Sequence, residues 1–87
     1  MELKDFIENF ASQFDETDAC AFKADTEFKK LDEWSSLIAL SVIAMVDEEY
    51  DVRIKGDDIR AAATIEDLFN IVKNRRNNGF LSSMALK

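Results

Sequence analysis

The sharpest placement of a chemically useful side chain in this sequence is Ser36, within Leu31-Asp32-Glu33-Trp34-Ser35-Ser36-Leu37, where a polar stretch gives way to an apolar helical pattern. The first N–H groups of a helix lack intrahelical partners and its dipole favours negative charge, so a phosphodiester formed on a serine hydroxyl there is stabilised locally. Ser36 is therefore a candidate attachment point for a phosphate-linked group. The same position suits a plain helix cap, and the local pattern alone leaves both readings open.

Other chemistry is largely excluded by what the chain lacks. Without histidine there is no imidazole to serve as general base or zinc ligand. Cys20 is the single cysteine, so neither an internal disulfide nor a Cys-rich metal site can form; it reads as a buried or idle thiol. The acidic stretch from Asp47 to Asp58 lacks the alternation of a calcium loop and reads as a solvated face. Gly56 and Gly79 are the only glycines, too few for a phosphate loop or a dinucleotide fingerprint. No paired carboxylates in an evident cleft point to an enzyme.

Composition bounds the rest. Eighty-seven residues suffice for one modest core. With 11 basic against 18 acidic residues and a formal charge of −7, nucleic acid and anionic membranes are disfavoured as partners and basic protein surfaces are favoured. An apolar content of 47% argues for a folded domain. No apolar run is long enough to span a bilayer, and Met1-Glu2-Leu3-Lys4-Asp5 does not open a secretory signal, so a cytoplasmic location is expected.

The elements that must position Ser36 follow from apolar spacing. Leu3, Phe6, Ile7, Phe10 and Phe14 predict a first helix over 2–15 with one buried stripe. Residues 15–34 show no sustained period and read as a long loop pinned by Phe22, Phe28 and Leu31, with room for a short helical turn. A second helix is predicted over 36–50, N-capped by Ser35, with Leu40, Ile43, Val46 and Tyr50 as its core face. Leu37, Ser41, Ala44 and Glu48 form another face, with Ile38 and Met45 beside it; this face either meets a partner or, at Ile38 and Met45, fills gaps in the core. Val52 and Ile54 read as apolar plugs on a connecting loop, and Gly56-Asp57-Asp58-Ile59 as a short helical turn. Thr64-Ile65-Glu66-Asp67 has the form of a capping box opening a last helix, whose buried face is Ile65, Leu68, Phe69 and Val72. Lys73, Arg75 and Arg76 suit the C-terminal end of that helix, and Asn77-Asn78-Gly79 reads as its stop. The chain thus divides into a helical domain over 1–76 and a tail over 77–87.

In this order and spacing, the residues from about 3 to 73 resemble the acyl carrier protein family. The resemblance rests on Trp34-Ser35-Ser36-Leu37 at a helix start, the acidic helix end Asp47-Glu48-Glu49-Tyr50, the Val52 and Ile54 plugs, the Asp57-Asp58-Ile59 turn, and Thr64-Ile65-Glu66-Asp67. It implies an all-α fold, a small four-helix bundle with a long first loop and a short third helix. It also implies that Ser36 bears a 4′-phosphopantetheine arm derived from coenzyme A and that the arm's thiol carries an acyl or aminoacyl thioester. The carrier itself would catalyse nothing. The implied partners are a phosphopantetheinyl transferase, an acyl- or aminoacyl-activating enzyme, and an acyltransferase or synthase, serving a monomeric carrier in lipid or secondary-metabolite synthesis. Ser35, Leu37, Ile38, Ser41, Ala44, Met45, Asp47, Glu48 and Asp57 are the positions expected to meet them.

Two residues depart from the family's pattern. The modified serine usually follows an aspartate, and here Ser35 keeps the capping ability and loses the charge. Ile38 replaces an acidic residue common just after the motif, making the surface beside the serine more apolar. A carrier-like fold that is never modified and acts as an acidic protein-interaction module is the alternative that these departures leave open.

Overall fold

Rings placed at Phe6, Phe10, Phe14, Phe22 and Phe28 by the first third of the chain are all buried, and they organise everything that follows. The computed structural model describes residues 2–85, and for 77–85 the backbone alone. Among the described residues the chain is all-α, with helices α1 (Leu3–Ala11), α2 (Ser36–Tyr50), α3 (Gly56–Ala61) and α4 (Ile65–Ala85) and no strand. Helix α1 packs on α2 and α4, and α3 packs on α4. No helix among the described residues is long and apolar enough to cross a membrane.

Helix α1 stops four residues short of its predicted end. Ser12 Oγ donates to the Asn9 carbonyl at 2.7 Å and Gln13 Nε2 donates to the same carbonyl at 3.1 Å, so local side-chain bonds replace the next helical turn. Phe14 nevertheless reaches the core, because the amides of Gln13 and Phe14 bond to the carbonyls of Phe10 and Ala11 and wind the chain one tighter turn inward.

The long first loop is ordered by rings and by backbone bonds. It holds two 3₁₀ turns, Ala19–Ala21 and Phe28–Lys30, where the sequence predicts room for one. Phe22 packs at a tilt against Phe14 at 4.9 Å between ring centroids, and Phe28 meets Phe10 edge-on at 5.2 Å. The loop also completes α4. The amides of Ile65 and Glu66, which a helix start leaves without partners, donate to the carbonyls of Thr26 and Ala24 at 3.1 and 2.9 Å. Cys20 lies in the first of the two turns and is exposed rather than buried.

Helix α2 buries Val46 and Tyr50 of its predicted core face and half-buries Ile43, but it leaves Leu40 out, 61% exposed, and brings Val42 and Met45 in. The helix is apolar on most sides, so several stripes compete for the core and the ring cluster selects one. Tyr50 is fixed by Asn9, whose Nδ2 donates to the phenolic oxygen at 2.9 Å, and burial raises its pKa above the ordinary value. The helix ends at Asp51, in the left-handed conformation with φ 56°, its N–H bonded to the Asp47 carbonyl. That bend sends Val52 and Ile54 into the core as the predicted plugs, 3% and 4% exposed.

The capping box that opens α4 is present. Asp67 N–H donates to Thr64 Oγ1 at 3.1 Å, and Asp67 Oδ2 accepts from Thr64 N–H at 3.2 Å. The other end of α4 differs from expectation: the helix passes through Asn77-Asn78-Gly79 and continues to Ala85. Asparagine and glycine disfavour a helix by at most about 1 kcal/mol each, which an established helix can absorb. Lys73, Arg75 and Arg76 accordingly lie within the helix. Arg75 serves instead as a bidentate partner of Asp58, at 2.6 and 2.8 Å, and donates to the Arg53 carbonyl at 3.2 Å. It thereby ties α3 and the preceding loop to α4. Whether the side chains of the tail dock on the core lies outside the described residues.

Asp58 also accepts the Lys55 N–H at 2.9 Å. The Arg75 hydrogen bonds hold its carboxyl below the usual carboxylate range, against the upward pull of burial. A carboxylate depressed on folding adds stability that is complete above its unfolded-state pKa and is lost as pH falls through the folded value. Urea unfolding from about pH 7 to about pH 3 is expected to show this acid loss in the parent and a smaller one in Asp58→Asn. Equal acid slopes in the two proteins would contradict the assigned role.

Candidate functional site

Two adjacent serines at the start of α2 have separate structural positions. Ser35 has extended backbone, and its Oγ accepts from Ile38 N–H at 3.3 Å while its carbonyl accepts from Ala39 N–H at 2.9 Å. It is the N-cap. Ser36 is the first helical residue, exposed, with its hydroxyl outside the cap. The capping role belongs to Ser35, as its place in the sequence predicts.

The segment that delivers Ser36 is held from behind by Trp34. Its indole lies parallel to Phe10 at 6.5 Å, stacks over Phe14 at 6.3 Å and meets Phe28 edge-on at 5.0 Å. Pairs of this kind contribute about 0.5–1.5 kcal/mol each beyond the area they bury. One residue earlier, the Glu33 carboxylate accepts the amides of Asp15, Glu16 and Thr17 and the Thr17 hydroxyl, which donates at 2.7 Å. The hydroxyl is the main reason its pKa lies below the ordinary value.

In front of Ser36 lies an open groove of about 570 Å³ between α2, α3 and the second 3₁₀ turn. Trp34, Ala39, Leu40, Ile43 and Ile59 supply its apolar surface, and Lys29 and Arg60 bring positive charge into an acidic protein. Lys29 Nζ donates to the Arg60 carbonyl at 2.8 Å and joins the loop to the end of α3. Arg60 pairs with the Asp57 carboxylate three residues earlier. Ser36, Leu40 and Ile43 fall on one helical flank by their spacing of four and seven residues.

The predicted partner positions do not all lie on the serine's flank. Leu37, Ser41, Ala44 and Glu48 form the adjacent face of α2, where Ser41, Ala44 and Glu48 border a smaller polar cleft with Asn9, Ser12 and Gln13 of the α1 end. Leu37 is 76% exposed, and Ala44, Asp47, Glu48 and Asp57 are exposed as well. Met45 is a correction: it is 5% exposed and belongs to the core, because it falls on the same stripe as Val42 and Val46. Ile38 is half-buried and packs against that core. The gap-filling alternative holds for both residues.

Lys29, Ala39, Leu40, Ile43, Ile59 and Arg60 border the serine's groove, although the sequence assigns Leu40 and Ile43 to the core and none of the six to a site. Leu40 and Ile43 had a usable signal, being four and seven positions beyond Ser36. Lys29, Ile59 and Arg60 had none, since they arrive through the packing of a loop and α3. The two serines separate in a stability measurement. Ser35→Ala is expected to lower unfolding free energy by about 1 kcal/mol through loss of the cap. Ser36→Ala is expected to change it by less than about 0.5 kcal/mol, as an exposed substitution. Equal losses in chemical denaturation would contradict this division.

Compared with protein-family models, curated proteins and solved structures, the chain matches none.

Proposed function

We propose that this protein is a carrier of the acyl-carrier type, with Ser36 as the attachment point of a 4′-phosphopantetheine arm and an acyl or aminoacyl group as its cargo. The observation that carries the reading is the placement of an exposed serine hydroxyl at the first position of a 15-residue helix, outside the cap and opening on a groove. The all-α order, with a long first loop and a short α3, supports the same reading.

The residues present fit such an arm. The α2 N-terminus suits the phosphodiester, Lys29 adds positive charge, and the surface along Leu40, Ile43 and Ile59 suits the uncharged remainder. Loading joins Ser36 Oγ to the phosphorus that bears the pantetheine of coenzyme A. The pyrophosphate P–O bond breaks, adenosine 3′,5′-bisphosphate leaves, and the hydroxyl proton passes to the transferase. When bound, the arm supplies a thiol that holds the cargo as a thioester.

This chain's own contribution is presentation. A tether raises the local concentration of cargo at each enzyme that the carrier docks on, without new contacts to the cargo. Docking would use the exposed Leu37 and the carboxylates Asp47, Glu48 and Asp57. Acidic contacts to a basic partner speed encounter more than they deepen affinity, which suits a carrier that must leave one enzyme for the next. The carrier is proposed to be cytoplasmic and monomeric, with the transferase, a cargo-activating enzyme, and an acyltransferase or synthase as partners.

Incubation with a broad-specificity phosphopantetheinyl transferase, coenzyme A and magnesium is expected to raise the intact mass by one phosphopantetheinyl group. Ser36→Ala should gain nothing while keeping its far-ultraviolet helical signal. Ser35, which lacks the charge of the usual aspartate, is the specific feature that favours an unmodified interaction module. Absence of any mass gain with this transferase and with the transferases of the protein's own cells would contradict the first reading and favour the second.

A further inference from the structure

The Glu33 carboxylate is a side chain that neither the core nor the proposed loading chemistry accounts for. It accepts Asp15 N–H at 2.8 Å, Glu16 N–H at 3.1 and 3.2 Å, Thr17 N–H at 2.9 Å and Thr17 Oγ1 at 2.7 Å. Three successive amides converge on one carboxylate, the geometry of a backbone anion-binding nest filled by the protein's own side chain. Its neighbours Asp15, Glu16 and Asp32 are acidic, and its recorded partners among the described residues are amides and a hydroxyl. A negative charge set among like charges is favoured at this place by what it ties together.

What it ties is the end of α1 to the start of α2. Phe14 stacks on Trp34 at 6.3 Å, and the residues that follow Phe14 are bonded by the residue that precedes Trp34. Two attachments on consecutive positions of both segments fix direction as well as distance. Phe10 and Phe28 also hold the indole, and the carboxylate clamp adds a polar attachment beside these ring contacts, one residue ahead of Trp34. The chain therefore leaves Trp34 with a defined heading, and two residues later it places Ser36 at the mouth of the groove.

We infer that Glu33 is the positioning residue of Ser36, holding the Trp34-Ser35-Ser36 segment in the arrangement that a transferase engages. This rests on the reading of Ser36 as the attachment point. When only a fraction of a substrate protein is in the competent arrangement, its apparent affinity falls by that fraction while turnover of the bound form is kept. Releasing the clamp should therefore raise the KM of the transferase for the carrier and leave kcat in place.

The test compares the parent with Glu33→Gln, which puts an amide NH₂ where one acceptor stood, and with the milder Thr17→Val, which removes the hydroxyl donor alone. Loading is followed by intact mass at varied carrier concentration, and the amide proton resonances of Asp15, Glu16 and Thr17 report the clamp. Glu33→Gln is expected to move those resonances upfield and to raise KM about five- to tenfold, with kcat within about twofold, and Thr17→Val to fall between it and the parent. An unchanged KM in Glu33→Gln, with the resonances displaced and the helical signal intact, would overturn the inference while leaving Ser36 as the attachment point. Should Glu33→Gln not fold, an unchanged KM in folded Thr17→Val with displaced resonances would overturn it equally. A parent that is never loaded would remove the underlying reading, and the positioning role with it.

Discussion

The structure depends on the aromatic cluster in which Trp34 is seated against Phe10, Phe14 and Phe28. Phe10 also touches Phe6 and Phe22, and Phe6 reaches Tyr50 and Phe69, so ring contacts run from α1 through the first loop to α2 and α4. Removing a ring from such a core costs about 3–5 kcal/mol, a large share of what a domain of this size has in total. A long loop with little regular structure of its own is ordered because its rings are buried in that cluster. The start of α2 inherits its position from the same contacts. This is how a chain with a modest core holds one exposed hydroxyl in a defined place.

Around that hydroxyl the labour is divided among neighbours. Ser35 satisfies the helix start, Trp34 anchors the entry, Glu33 binds the preceding segment, and Ser36 is left exposed. The two flanks of α2 then differ in character. One opens on an apolar groove with positive charge from Lys29 and Arg60; the other borders a polar cleft and carries Glu48. Leu37, next to Ser36, leaves an apolar side chain exposed to solvent.

What could be read from the sequence was local. The Thr64 and Asp67 capping box and the Ser35 cap are legible because donor and acceptor lie within four residues. Val52 and Ile54 are legible as plugs because their alternation with Arg53 and Lys55 has no second strand to pair with. The inward face of α2 was legible at Val46 and Tyr50 but not in its exact rotation, since an all-round apolar helix offers Leu40 and Val42 on equal terms and only the ring cluster chooses between them. The continuation of α4 past Gly79 was hidden because the local cost of Asn-Asn-Gly is small beside the cost of starting a helix. The Arg75 to Asp58 pair and the Glu33 clamp span 17 and 16 to 18 residues, distances over which sequence has no fixed periodicity to betray a contact. Ser36 itself could be singled out, whereas the groove that gives its position meaning is assembled by elements separated along the chain.

The most direct test of the carrier reading is the state of residue 36 in the protein purified from its own cells, by intact mass followed by peptide mapping across Leu31–Leu40. The account expects a phosphopantetheinyl group on Ser36 in at least part of the population, with Ser35 unmodified. A chain recovered wholly unmodified, or modified on Ser35 instead, would contradict it.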